Sequence, residues 1–390
     1  MAGTAYGPPA AFLHADTGLY GIAGEAWLRV PVYVSGLLRF PLKDNDFKEQ
    51  YGDIGDAAEH KLLVSAVKEA QDFLTAYGDP VTLTKKIAHD GDYLKKTTPP
   101  PEFYAQAVWA AYRAQHAANQ FASRARSLRA TLEKSPHDFA KNAALVRGAF
   151  TGAGGLSSLS AEQKGCFAEL LRTAKRTPSA FQGVQKALAD RMGTKSKTCV
   201  SAREASKEYE GQALAFDGAA DEAWAEWLEY RGAQPSQALD VCVVNVAVPV
   251  GTADLGGQAP KAKALAARSA YNVLLDALGK ASDEVACKAC LAADLGGFDR
   301  QSQALPDALS SLHQWAGAMA AGWDDVFAGL ARACALSDDV LGDPAKLNGA
   351  LAFDEGAKAW ETLATATGRF TESALVGLVF EPWGLPLSAS

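Results

Sequence analysis

The feature that most constrains the fold of this chain is a helical spacing of apolar residues that starts near Asp56. Apolar residues recur there at three- and four-residue spacing, the pattern of an α-helix: Leu62, Leu63, Ala66, Val67, Ala70, Phe73 and Leu74. Gly78 follows as a stop signal. Alanine is frequent in the later segments and favours helix throughout. The sequence therefore predicts a mainly α-helical protein.

Proline and glycine mark the ends of the expected helices. The three prolines at 99–101 end a connector, and Glu102 then opens a long helix that extends to Leu132. Ser135-Pro136 closes that helix. Further helices are predicted at about 137–149, 160–175 and 179–192, two more within 201–232, and others after Pro260, with a break at Gly296-Gly297.

Two short segments read as β-structure. Residues 26–40 are β-branched and aromatic, with Pro31 suited to an edge strand. Residues 241–248 are rich in valine and are flanked by Pro249 and Gly251, a pattern typical of a buried strand. The expected fold is a two-lobed helical protein with short β elements near 26–40 and 241–248.

Charge is unevenly distributed along the chain and suggests the two lobes. The net charge is -7, yet residues 110–205 carry 16 Lys and Arg against 6 Asp and Glu. The N-terminal lobe is predicted at 1–205, with an extended apolar arm and this basic helical segment. The acidic, alanine-rich lobe is predicted at 206–390, with one buried strand and an apolar C-terminal tail.

The basic segment predicts a surface that follows a phosphate backbone without reading base sequence. Aromatic residues interleaved with it could stack on bases: Tyr104, Trp109, Tyr112, Phe121, Phe139, Phe150, Phe167 and Phe181. The candidate nucleic-acid-binding residues are Arg113, Arg124, Arg129, Lys141, Arg147, Arg172, Lys175, Arg176, Lys186, Arg191, Lys195 and Lys197.

These features favour a non-enzymatic, self-assembling protein associated with nucleic acid, as in a viral coat, a nucleocapsid or a ribonucleoprotein effector. RNA, bound non-specifically, and further copies of the chain are the expected partners, without a membrane. No catalytic residue, metal or cofactor is predicted. Residues 1–11 lack the pattern of a secretory signal, so the expected location is the cytoplasm or an assembled particle.

Three alternatives remain open at the level of sequence. His60 followed by His89-Asp90 has the order of ligands in a helical metal-dependent phosphohydrolase. A protein-binding scaffold would use the basic lobe against an acidic protein surface. A pore-forming toxin would hide apolar residues until assembly, with 241–250 and 375–387 as its candidate segments. Neither segment reaches the ~20 residues of a spanning helix.

Overall fold

A computed structural model of the 390-residue chain describes residues 6–15, 18–22, 25–52, 57–189, 191, 197–205, 239–242, 283–374 and 376–379. Within these ranges the protein is mainly helical, which confirms the predicted class. In chain order the elements are α1 (Glu25–Leu37), α2 (Asp44–Tyr51), α3 (Ala57–Leu74), α4 (Pro80–His89), α5 (Phe103–Leu132), α6 (Phe139–Thr151), α7 (Leu156–Ala174), α8 (Thr177–Ala189), α9 (Lys197–Ala205), β1 (Leu239–Cys242), α10 (Asp283–Cys334), α11 (Asp338–Gly342), α12 (Pro344–Leu351), α13 (Phe353–Ser373) and β2 (Val376–Val379).

The chain forms two compact units, each assembled from separate stretches of sequence. Unit 1 comprises Met1–Ala23, Asp90–Lys175 and Leu312–Glu372, and unit 2 comprises Gly24–His89, Arg176–Ser311 and Ser373–Ser390. These units do not follow the boundary expected at 205. Because 206–238 and 243–282 lie outside the described residues, the lobes at 1–205 and 206–390 stay a prediction.

Unit 1 is built around α5, which packs against α6 and α7. Residues 6–15 and 18–22 add a mostly non-helical segment to its core. The hydroxyl of Tyr6 donates to the carbonyl of Phe121 at 2.8 Å, and the indole Nε1 of Trp360 donates to the carbonyl of Tyr6 at 2.7 Å. Phe12 lies so close to Gly322 that a Cβ there would meet its ring at 2.2 Å. Glycine at 322 is therefore required by packing.

Unit 2 is built around α3, which packs against α1, α8 and α9. Its core is also aromatic, with the ring of Tyr33 between those of Phe181 and Phe298 at centroid distances of 6.3 and 5.9 Å. Near the start of α3, Glu59 is buried and accepts a hydrogen bond from Thr198 of α9 at 3.0 Å. This bond ties α9 to α3, because a buried carboxylate must keep its donors.

The β-structure predicted at 26–40 is wrong, because the structure places α1 there. Trp27, Val30, Val34 and Leu37 are all buried at helical spacing, with Pro31 inside the helix. Strand propensity chiefly reflects how β-branched residues pack on a sheet, and here they pack against neighbouring helices instead. Tertiary packing therefore overrides the local preference.

The strand predicted at 241–248 is not borne out as an element of that length. Only its first two residues fall in a described strand, β1, which pairs in parallel with β2. Residues 243–248 lie outside the described residues.

The break expected at Gly296-Gly297 is also wrong, because α10 continues through it. Of the helices within the described ranges, none combines the length and hydropathy that crossing a bilayer needs.

Candidate functional site

The predicted basic residues do not fall in one unit. Those from Arg113 to Lys175 belong to unit 1, and those from Arg176 onward belong to unit 2. On the described surface Lys141, Lys175, Arg176, Lys186 and Lys197 are exposed. Arg124 is half-buried on α5, and Arg191 lies 3.5 Å from the buried Glu59. Lys195 lies outside the described residues.

Four of the predicted arginines already bind carboxylates within unit 1. A guanidinium paired in this way keeps only part of its donor capacity for a phosphate. Two of the partner acids lie far along the chain, beyond residue 330, so the basic stretch meets its opposite charge inside the same unit. The pairs are Arg113–Glu162, Arg129–Glu133, Arg129–Asp354, Arg147–Asp338 and Arg172–Glu169.

Arg147 shows that such a residue can act structurally. Its Nε donates to the carbonyl of Cys334 at 3.1 Å, and its second terminal nitrogen donates to the carbonyl of Leu336 at 2.9 Å. These carbonyls stand at the C-terminal end of α10 and just after it, where backbone acceptors lack intrahelical donors. Arg147 therefore caps α10 from α6.

The aromatic residues expected to stack on bases lie mostly inside the protein. Tyr112 is half-buried and Phe139 is exposed, whereas the other six are buried. A buried ring has no face to offer to a base, so these residues serve the core. The buried six are Tyr104, Trp109, Phe121, Phe150, Phe167 and Phe181.

The residues proposed for a phosphohydrolase are not assembled as a metal site. Within the described ranges no group of three or more His, Cys, Asp or Glu could hold a metal ion. His60 is buried, with its ring 4.5 Å from that of Phe47. Asp90 is paired with Lys96 at 2.7 Å. The order of His60, His89 and Asp90 along the sequence therefore does not translate into a shared set of ligands.

The structure pairs the described parts of the two apolar segments that the sequence singled out. β1 overlaps the start of 241–250, and β2 lies within 375–387. The strands pair in parallel, with Leu239 opposite Val376 and Cys242 opposite Val379. Both segments are apolar in the sequence, but no local signal shows that they pair, since parallel strands are joined through long connections.

Helix α4 packs against β2 and completes this region of unit 2. Its start is held by Asp79, which accepts from the backbone N–H of Val81 at 3.1 Å and from both terminal nitrogens of Arg39, the shortest at 2.9 Å. Burial opposes ionisation of Asp79, but the hydrogen bonds from Arg39 and Thr82 outweigh it and hold its pKa below the ordinary 3.8. The paired strands with α4 form the candidate functional site.

No known protein family and no curated protein matches the chain in sequence. Among solved structures, the soluble form of SmhA, from the tripartite α-pore-forming toxin Smh of Serratia marcescens, matches with a TM-score of 0.53. Its identity is 12%, over 92% of this chain and 94% of that chain. The HblL1 toxin component of Bacillus cereus matches with a TM-score of 0.54 at 12% identity, over 97% of this chain and 100% of that chain. The chain therefore has the fold of these toxin components.

This likeness corrects the functional expectations drawn from charge. The nucleic-acid-associated coat or nucleocapsid protein is wrong, as are an RNA partner without a membrane and a cytoplasmic or particle-bound location, because the fold is that of toxin components. The physical reason is visible in unit 1, where Arg129 and Arg147 pair with Asp354 and Asp338, acids distant in sequence, and most of the interleaved aromatic residues are buried. Local charge density is thus a poor guide to exposed charge.

Proposed function

We propose that this chain is one component of a multi-component α-pore-forming toxin, folded in water and acting on a lipid membrane. The observation that carries the proposal is its fold, shared along more than nine-tenths of the chain with SmhA and HblL1. Smh is described as tripartite. By analogy, the chain acts together with partner proteins rather than alone.

The apolar segments 241–250 and 375–387 are the membrane-active parts in this proposal. Each is shorter than the ~20 residues needed for a spanning helix, so each reaches lipid at the interface or by joining other chain segments. Within the described residues, β1 overlaps the start of the first segment, β2 lies in the second, and the two strands pair. Pairing there satisfies backbone groups that would otherwise face the aqueous phase or lipid unpaired. Membrane contact then competes with this pairing.

A vesicle-flotation experiment with tryptophan fluorescence tests the proposal. Trp383 lies within 375–387. We expect the wild-type chain to float with phospholipid vesicles and its emission to shift to shorter wavelength, because an indole that enters the membrane interface leaves water. Trp383→Phe should float equally well but lose most of the shift.

The matched control is Trp27→Phe, which removes a buried indole from α1 of the same unit. It should retain the vesicle-induced shift. Two negative results together would exclude the proposed function. The wild-type chain would remain in the aqueous fraction with every vesicle composition, and it would release no trapped dye when partner components are present.

A further inference from the structure

The segment that precedes α1 lies on unit 1 in the manner of an extended peptide. We name its described residues, 6–15 and 18–22, the strap. Most of the described backbone hydrogen bonds of the strap close turns within it, such as that from the N–H of His14 to the carbonyl of Leu19 at 2.8 Å. Side chains inserted between the helices therefore hold the strap in place more than backbone pairing does.

Three aromatic side chains anchor the strap. Tyr6, Phe12 and Tyr20 are all buried. Each of them packs against rings of the helices, with ring centroids between 4.4 and 5.8 Å apart. We name the helix residues that receive these side chains the seat: Phe150, Trp315, Gly322, Trp323, Phe353 and Phe370.

Glycines in α10 and α13 let the strap approach the helices closely. A Cβ at Gly322 would lie 2.2 Å from the ring of Phe12, and a Cβ at Gly356 would lie 3.0 Å from the backbone nitrogen of Gly7. Contacts this close leave no space for a side chain at either helix position. The helices of unit 1 are therefore shaped to the sequence of the strap.

The strap is separated along the chain from the helices that hold it. Unit 1 includes the residues up to Ala23 and resumes at Asp90, and the stretch between them belongs to unit 2. The strap is tied to the helices of unit 1 by hydrogen bonds such as that from the hydroxyl of Tyr6 to the carbonyl of Phe121. Because these contacts are non-covalent, a strap from another copy is able to make the same ones.

Polar atoms around the docked strap are incompletely bonded. The hydroxyl of Tyr20 and the indole nitrogens of Trp315 and Trp323 are buried without a hydrogen-bond partner among the described residues. Buried polar atoms that stay unpaired cost free energy. The docked strap is thus held less firmly than its buried rings alone would imply, which favours exchange.

We infer that the seat of unit 1 is a peptide-binding site that takes the strap of a second copy of this chain. The occupant is a second copy because the seat is shaped to this sequence, and every copy carries both the strap and the seat. An exchanged strap makes the same contacts as the chain's own, so two copies that trade straps lose none of them. The inference goes beyond the proposed function and does not depend on it.

The first test adds a fluorescent peptide of sequence 6–22 to full-length chains and follows its anisotropy. Phe12→Ala weakens the chain's own strap and leaves the seat intact. This variant should bind the peptide about 100-fold more tightly than the wild type, the factor expected for truncating a buried phenylalanine. Phe12→Leu, a milder change, should show a smaller gain in the same direction.

The matched control for the peptide experiment blocks the seat itself. Gly322→Ala also loosens the strap, but its Cβ takes the place of the Phe12 ring, so this variant should not bind the peptide. Circular dichroism compares the helix content of the variants with that of the wild type. A loosened strap with a blocked seat thus separates binding at the seat from binding to any partly unfolded chain.

The second test mixes two full-length variants. Phe12→Ala has an intact seat and a defective strap, and Gly322→Ala has the reverse. Neither variant should associate alone, whereas the mixture should form a complex with one copy of each in size-exclusion light scattering. The double variant, Phe12→Ala with Gly322→Ala, offers neither part and should not associate with either single variant.

The outcomes decide between the seat, another surface and another partner. Equal peptide binding by the wild type, Phe12→Ala and Gly322→Ala would overturn the inference, because the peptide would then bind outside the seat. A complex that also forms with the double variant would overturn it too. Peptide binding as expected, without any complex in the mixture, would exclude a second copy as the occupant. No vesicle enters either test, so the inference and the proposed function fail separately.

Discussion

The cores of units 1 and 2 contain different kinds of buried side chain. The centre of unit 1 is a set of aromatic rings, with Trp360 stacked on Phe121 at 4.3 Å and on Trp323 at 5.6 Å between centroids. The polar atom of Trp360 is satisfied by the carbonyl of Tyr6. Aromatic side chains of this size bury a large apolar area, so truncating one of them removes much of that buried area. Unit 1 therefore has the features of a stable scaffold.

Unit 2 buries ionisable side chains next to its rings. Glu59 and His60, adjacent on α3, are 6% and 8% exposed. His60 Nδ1 lies 3.6 Å from Asp44, but its Nε2 has no hydrogen-bond partner among the described residues. Buried polar groups cost free energy unless fully bonded. Buried polar atoms without a hydrogen-bond partner occur in both units, however, so the difference that bears on function is the strand pair of β1 and β2, which lies in unit 2.

The largest expected effect tests the scaffold of unit 1. Trp360→Ala should lower the free energy of unfolding by about 3–5 kcal/mol, because it removes a fully buried indole and leaves a cavity. Urea unfolding followed by circular dichroism measures it. Trp360→Phe keeps a stacked ring and loses chiefly the bond to Tyr6, so its cost should be near 1 kcal/mol, as for one hydrogen bond. Equal effects of the two substitutions would contradict an aromatic scaffold.

The second prediction concerns the strand pair of unit 2. Cys242 lies opposite Val379, and neighbouring strands stand about 4.7–4.9 Å apart, within the Cα separation of a disulfide. Val379→Cys should therefore cross-link β1 to β2 on oxidation. The cross-link should stabilise the folded chain by about 2–4 kcal/mol and, under the proposed function, suppress vesicle permeabilisation. Reductant should restore activity.

Two controls make the cross-link interpretable. The wild-type chain, oxidised in the same way, reports any effect of the other cysteines. Val379→Ser under the same treatment reports the effect of a polar residue in β2. If the cross-linked protein permeabilises vesicles as fast as its reduced form, the strands do not separate during function, and rearrangement belongs elsewhere.

Helices α3 and α5 were predictable from sequence because their determinants are local, whereas α10 continues through the glycines that were expected to break it. Apolar spacing identified α3, and the prolines before Glu102 placed the start of α5 within one residue of Phe103. α1 was missed because its β-branched residues carry a strand preference that packing reverses. Local spacing thus determines helices wherever it agrees with intrinsic propensity.

The candidate site was less predictable because it depends on contacts between residues far apart in sequence. The pairing of Leu239 with Val376 spans more than a hundred residues and leaves no periodic signal. The ion pairs of Arg129 with Asp354 and of Lys164 with Asp324 likewise neutralise charge that looks isolated in the sequence. Local charge density therefore overestimated the exposed positive charge. The prediction of a nucleic-acid-binding protein followed from that overestimate.

The smallest expected effect concerns the anchor of α4, and it depends on pH. Asp79 has a pKa below 3.8 in the folded protein. Its contribution to the free energy of unfolding is therefore complete above about pH 5 and is lost as the pH falls through the folded pKa.

Asp79→Asn keeps a side-chain acceptor at the start of α4 but removes the charge that binds Arg39, whose side chain is 19% exposed. Urea unfolding at neutral pH should show a loss of about 1–2 kcal/mol, as for a partly buried charged hydrogen bond. The difference between wild type and variant should shrink as the pH is lowered, since protonation abolishes the same charge in the wild type. Asp72→Asn, on the exposed face of α3, should show no such loss at neutral pH. A difference that stays constant down to acid pH would mean that the shape of the side chain, and not its charge, anchors α4 beside β2.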